Sequence, residues 1–284
     1  MGVDTAVADA PHNWLEHGEV PPGAGFRLPG QASAARAPEA SAPPPSEPRA
    51  PARAAPARTA PRPAAPEPRA EPRPGFAAAP PDAAELAART IARNAKTLDD
   101  LEAALRGFDG CGLKATAKNL CFYRGAPRAR LMIIGEAPGR EEDLEGRPFV
   151  GRAGQLLDKM LAAIGLKEAD VHITNVVYWR PPGNRTPTPQ ESQVCRPFLD
   201  RQVELVEPDI VLLLGGAAAK QVLDTTDGIM RIRGKWREIQ SGGHAVKTMA
   251  TLHPAYLLRT PAAKRQAWRD LLAVQAALES GQAK

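Results

Sequence analysis

The sequence predicts an α/β fold: a three-layer α/β/α sandwich with a central, mainly parallel four-stranded sheet, preceded by a disordered N-terminal tail. Three observations carry this. Short apolar runs at residues 131–134 and 209–214 show little alternation, as expected of central strands covered on both faces, and residues 171–177 and 247–252 read as two further strands. Segments with a 3.6-residue apolar period separate them, the pattern of parallel strands joined by crossover helices. Finally, nineteen of the thirty prolines lie before Asp82.

That first segment, residues 1–81, is mostly Ala, Pro, Arg, Glu and Ser, with eight arginines balancing eight acidic residues and no lysine. Its apolar side chains are too few to offset the entropy of ordering, so it reads as disordered or polyproline-like. Trp14, Leu15 and Phe26 read as isolated apolar residues there rather than as a docking motif. Residues 82–284 form the folded domain. Residues 83–108 are helical, with Leu86, Ile91, Leu98, Leu101 and Leu105 on one side. The first strand, 131–134, is stopped by Gly135, Pro138 and Gly139, which let the main chain approach a ligand closely. A helix over 154–164 buries Leu156, Leu157, Met160, Leu161 and Ile164. The strand at 171–177 is followed by a helix over 190–206, opened by Thr188-Pro189. The strand at 209–214 runs through Gly215-Gly216-Ala217 into a short helix ending at Leu223. The last strand is 247–252, and 261–280 is the closing helix.

The tail is neutral, so the net charge of +5 belongs to residues 82–284, which hold 29 basic and 24 acidic residues. That surplus leans toward polyanionic partners. About 200 residues suffice for one domain with a sizeable core. No apolar run is long enough to span a bilayer, and the N-terminus lacks the basic-then-apolar order of a signal peptide. The sequence therefore predicts a cytoplasmic protein, nucleoid-associated if its polyanion is DNA. Three cysteines, an odd number, imply reduced thiols rather than a disulfide framework.

A parallel sheet gathers its strand ends at one edge, where ligands bind in open α/β sheets. Here those ends are Gly135-Glu136-Ala137-Pro138-Gly139, Asn175, Gly215-Gly216 and His253-Pro254. A carboxylate, an amide and an imidazole should thus surround one pocket. The set is poor for metals, since the histidines are scattered and no Cys or His pair has zinc spacing. Neither a phosphate loop nor a full dinucleotide fingerprint occurs, and no Ser or Cys triad has sequence support. What remains is a site that reads a flat polar molecule with an amide and stabilises developing negative charge with a hydrogen-bond donor.

The ordered blocks Gly135-Glu136-Ala137-Pro138-Gly139-Arg140-Glu141-Glu142-Asp143, Gly146-Arg147-Pro148-Phe149-Val150-Gly151-Arg152-Ala153-Gly154, Thr174-Asn175-Val176-Val177, Arg180-Pro181-Pro182-Gly183-Asn184-Arg185-Thr186-Pro187-Thr188-Pro189 and His253-Pro254-Ala255-Tyr256-Leu257-Leu258-Arg259 resemble the motifs of family 4 uracil-DNA glycosylases. The similarity covers roughly residues 100–275. It implies base-excision repair: hydrolysis of the N-glycosidic bond of uracil, with other deaminated bases as further substrates, in single- or double-stranded DNA, by a monomer that flips the nucleotide out of the stack. The resemblance makes Phe149 the stacking face, Asn175 the reader of O4 and N3–H, and Gly135, Ala137, Pro138 and Gly139 the wall of the base pocket. It makes His253 the donor to O2 of the departing base. Leu257, Leu258 and Arg259 become the wedge that fills the gap in the duplex. Arg180, Asn184 and Arg185 become further DNA contacts. Glu136 matches a family glutamate, and Glu142 and Asp143 are other candidates to place the attacking water. Two further readings stay open: a protein that binds uracil or abasic sites without turnover, and a Rossmann-like small-molecule binder.

One departure is larger. The resemblance implies a 4Fe-4S cluster on four cysteines, but only Cys111 and Cys195 fall at those positions, and Phe108 and Trp179 hold the other two. Cys121 is unmatched. Two apolar aromatics in place of ligands imply no cofactor, with Cys111 and Cys195 as metal ligands only if a cluster is present.

Overall fold

The computed structural model describes residues 81–241 and 243–281. The expectation for the tail therefore lies outside the described residues, except that Pro81 opens the first helix.

The described residues form a six-stranded mixed sheet in the order β1-β3-β2-β4-β6-β5. Its strands are β1 (Arg124–Gly125), β2 (Leu131–Gly135), β3 (Val171–Asn175), β4 (Ile210–Leu214), β5 (Trp236–Ser241) and β6 (His244–Thr251). The four expected strands, β2, β3, β4 and β6, are parallel. The two edge strands are antiparallel additions that the sequence pattern does not announce. β1 has two residues, too few for any period. β5 is nearly all exposed and polar, as an edge strand can be.

Alternate residues of the central strands feed two different cores. Met132 and Ile134 of β2, with Val211 and Leu213 of β4, face α1 (Pro81–Asn94), α2 (Leu98–Gly107) and α5 (Pro189–Val206). Leu131, Ile133, Ile210 and Leu212 face α4 (Arg152–Ala162) and α9 (Lys264–Glu279). Burial on both faces is why these strands read as continuous apolar runs.

The single helix expected over 83–108 is two helices. Thr97 caps α2 by accepting from the Asp100 amide, and Asp100 reciprocates at the Thr97 amide, so this capping box starts a new helix. Short helices α3 (Arg140–Glu145), α6 (Gly215–Leu223), α7 (Ile229–Ile232) and α8 (Pro254–Arg259) complete the order. The chain runs from β2 to β3 on one side and then to β4 on the other side of β2. That reversal opens a crevice at the carboxyl edge, where α/β sheets bind ligands.

Beneath this edge lies a buried polar chain. His172 of β3 bonds the Ala126 carbonyl through Nδ1 at 2.7 Å, so Nδ1 carries the proton, and Nε2 accepts from Gln202 Nε2 at 2.9 Å. The Tyr178 hydroxyl donates to Gln202 Oε1 at 2.9 Å. Burial pushes His172 down to about 4. The unfolded chain takes up this proton near 6.5, so the stability contributed by a neutral His172 is present above pH 6.5 and lost as pH falls toward 4. Denaturation at pH 4.5 should show about 2 kcal/mol less stability than at pH 7 from this residue. His172→Gln should flatten that dependence, and an unaltered pH slope in the variant would contradict the assignment.

Candidate active site

Glu136, Ala137, Pro138 and Gly139 beyond β2, Asn175 of β3 and His253 beyond β6 line one cleft of about 500 Å³. Its position follows from the parallel register, which sets Gly135 directly beside Asn175. Gly135 is needed for close approach: a methyl there would collide with the Phe149 ring and with Asn175 Oδ1. The missing side chain lets the ring and the amide share one wall.

Phe149 has φ +56°, a left-handed conformation costly for an aromatic residue. Its carbonyl lies where a Cβ of Gly154 would be, so Gly154 allows the chain to fold back onto the start of α4. The buried ring lies 5.7 Å from the His253 ring, tilted by 31°. Two flat groups thus border the cleft.

Asn175 is 1% exposed, and among the described residues its Nδ2 has no hydrogen-bond partner. A buried amide donor without a partner carries a desolvation cost that a ligand acceptor can relieve.

His253 is half-buried and caps α8: its Nδ1 accepts from the Ala255 amide at 3.1 Å. An accepting Nδ1 leaves the ring proton on Nε2 in the neutral form. Burial, with the Arg259 charge adding to it, pushes His253 down to about 4. At neutral pH it is therefore an uncharged donor.

The acidic candidates separate by their partners. Glu142 accepts from the Gly139 amide through Oε2 and from the Gly151 amide through Oε1, both at 3.0 Å. It braces the turn after β2 against the start of α4. Buried Asp143 accepts from the Lys118 and Asn119 amides through Oδ1, and its Oδ2 lies 3.9 Å from Arg180 of the loop after β3. Among the described residues, the Glu136 side chain has no hydrogen-bond or ion-pair partner, and it borders both this cleft and a neighbouring apolar one lined by Val176, Pro187 and Ile229.

The loop after β3 also reaches the cleft. Asn184 has φ +56° and accepts from Arg180 Nε at 2.7 Å, while Arg185 pairs with Glu191 near the start of α5 at 2.6 Å. Arg259 lines the cleft from α8. One expected wedge residue is corrected: Leu257 is 1% exposed and packs with Leu252, Ala263 and Ala267. The turn of α8 that buries Leu257 puts Leu258, 39% exposed, outside. Tyr256 also lines the cleft and stands 38% exposed, a residue that its motif contains but that sequence reasoning gives no role.

A family model described as the uracil DNA glycosylase superfamily matches residues 122–272. The chain is 43% identical over 170 residues to a type-4 uracil-DNA glycosylase of Archaeoglobus fulgidus, a match spanning 58% of this chain and 85% of the relative. It is 38% identical over 178 residues to a type-4 enzyme of Pyrobaculum aerophilum, spanning 61% of this chain and 91% of the relative. A type-5 uracil-DNA glycosylase of Mycobacterium bovis is 32% identical over 150 residues, 46% of this chain and 56% of that one.

Proposed function

The chain belongs to the uracil DNA glycosylase superfamily, and from that premise we propose that it is a repair hydrolase that removes uracil from DNA by cleaving the N-glycosidic bond. The observation that carries the reading is the unpartnered, buried Asn175 amide facing the cleft that Phe149 and His253 border. A uracil inside a duplex cannot reach this depth while stacked, so the nucleotide is flipped out, at a cost of a few kcal/mol that is smaller in single strands.

In this reading the base lies on the Phe149 ring. Asn175 Nδ2 donates to O4, and its Oδ1 accepts from N3–H. As the glycosidic bond lengthens, negative charge collects on the base and positive charge on the sugar. His253 Nε2–H donates to O2, where that negative charge develops. The ring is uncharged at neutral pH, and the N–H of a neutral imidazole is a very weak acid, so it stabilises the leaving base as a hydrogen-bonded anion rather than protonating it outright. Glu136 faces the developing cation and holds the water that captures it. Glu142 keeps the Gly139 turn in place rather than touching the water. Ala137 adds no polar group, so bond breaking runs ahead of water attack.

Arg180, Asn184, Arg185 and Arg259 face the phosphates, and Leu258 is the wedge. The proposed partner is uracil-containing DNA, single- or double-stranded, bound by a monomer; among the described residues, no helix is long and apolar enough to cross a membrane. Leu258→Ala should slow excision from duplex DNA several-fold while sparing single strands, because only a duplex leaves a gap to fill. Leu257→Ala should instead cost about 2–5 kcal/mol of stability. Kinetics on paired substrates and denaturant titrations check both; equal losses on single and double strands for Leu258→Ala would contradict the wedge.

The proposal is tested by incubating the protein with a uracil-containing oligonucleotide and then with alkali. Cleavage at the uracil position is expected. A strand that is bound yet stays intact after alkali would favour the non-catalytic reading.

A further inference from the structure

We propose that the place where the family resemblance implies a 4Fe-4S cluster is, in this chain, a metal-free apolar joint, closed by the Phe108 and Trp179 rings, that fixes the base of the DNA-facing loop. The resemblance asks for thiolates at 108, 111, 179 and 195. Two are present: Cys111 and Cys195 are buried with their sulfurs 3.9 Å apart. The other two positions hold rings without a lone pair to give a metal.

Both rings are already committed to packing. Phe108, the residue that ends α2, meets Phe198 edge-on, with centroids 5.1 Å apart and planes at 60°. Phe198 follows Cys195 by one turn of α5, so the Phe108 ring lies beside the thiol pair. It also folds back over its own turn, since a Cβ on Gly110 would collide with it. Trp179 is 3% exposed and packs edge-on against Tyr178. All four positions belong to one apolar cluster with Leu101, Leu105 and Phe198.

Among the described residues, no other donor makes up the set. Cys121 donates its S–H to the Glu142 carbonyl at 3.1 Å, beneath the turn that follows β2. Burial pushes its thiol up to about 12, so it stays protonated where it lies. Among the described residues, no three His, Cys, Asp or Glu side chains converge to hold a metal ion. A cluster of this kind takes a protein ligand on each iron, and two thiols would leave two irons facing hydrocarbon. The residues present do not fit the group.

The joint has a mechanical consequence. It ties the end of α2, the segment after β3 and the middle of α5 together. Trp179 immediately precedes Arg180, so its packing sets where the loop over 180–188 begins. Apolar contacts make here the connection that four metal–sulfur bonds would otherwise make.

The inference rests on family membership, and metal content is read whether or not uracil is excised. The full-length protein purified without oxygen should be colourless and hold far less than one atom of iron, zinc or copper per chain, with no acid-labile sulfide. Cys111→Ala combined with Cys195→Ala should keep the fold and excise uracil within about twofold of the parent, whereas Trp179→Ala should lower the melting temperature by roughly 10 °C. Phe108→Cys combined with Trp179→Cys, exposed to iron and sulfide, should gain the broad visible absorbance of a cluster. Stoichiometric iron and sulfide in the parent protein would overturn the inference. So would loss of bound metal together with the fold in the double alanine variant, or a folded double cysteine variant that takes up no iron.

Discussion

His253→Ala is expected to lower the single-turnover rate of uracil excision by a factor on the order of 10² or more, while DNA binding is retained. The Ala255 amide occupies Nδ1 and fixes the ring so that Nε2–H is the group available to the base. A preorganised donor aimed at developing charge contributes in the transition state and little before it, so its loss appears in the rate of the chemical step. The same substitution removes the cap of α8, at a cost of about 1 kcal/mol, which leaves the fold in place. Because His253 titrates near 4, the parent rate should show no inflection from imidazole protonation between pH 5 and 8. An inflection near pH 6.5 that disappears in the alanine variant would show a ring that changes charge during the reaction. Unchanged single-turnover cleavage in a folded variant would remove His253 from the mechanism.

Asn175→Ala should be equally severe for excision and nearly silent for stability. Most buried amides are bonded on both sides, and truncating them strands a partner. Among the described residues Asn175 Nδ2 has no partner to strand, so its removal should cost the folded protein under about 1 kcal/mol. Its loss from the pocket should lower the excision rate by about 10² or more, because a base edge that leaves the DNA would meet no polar group in its place. Non-specific DNA affinity and its salt dependence should hold, since phosphate contacts supply them. Collapse of affinity together with activity, or a large loss of stability, would make Asn175 a structural amide of the core.

Strands β2 and β4 are legible in the sequence because the physics that makes them strands, burial on both faces, also removes polar residues from them. The site is legible for a related reason: strand ends in a parallel sheet share an edge, so Glu136, Asn175 and His253 can be gathered without knowing the helices. The break between α1 and α2 is hidden because Thr97 and Asp100 sit inside an unbroken 3.6-residue period. β5 is hidden because its partner on β6, rather than its own pattern, makes it a strand. The fates of Leu257 and Leu258 differ through the rotation of a six-residue helix, which two adjacent leucines do not disclose. Glu142 and Asp143 are equally plausible acids in the sequence until their backbone partners, up to 25 residues away, are seen. The left-handed Phe149 has no local signal, since its conformation depends on the bare backbones of Gly135 and Gly154.

The central claim, that this cleft cleaves a base from DNA rather than merely holding it, is tested most directly by measuring the free base. A strand with one uracil, incubated with catalytic amounts of the protein, is separated by chromatography, and released uracil and the remaining strand are quantified together. The account predicts one free uracil per strand, many strands processed per protein molecule, and a backbone that stays whole until alkali is added. Tight binding of the uracil strand with no free uracil released would contradict it.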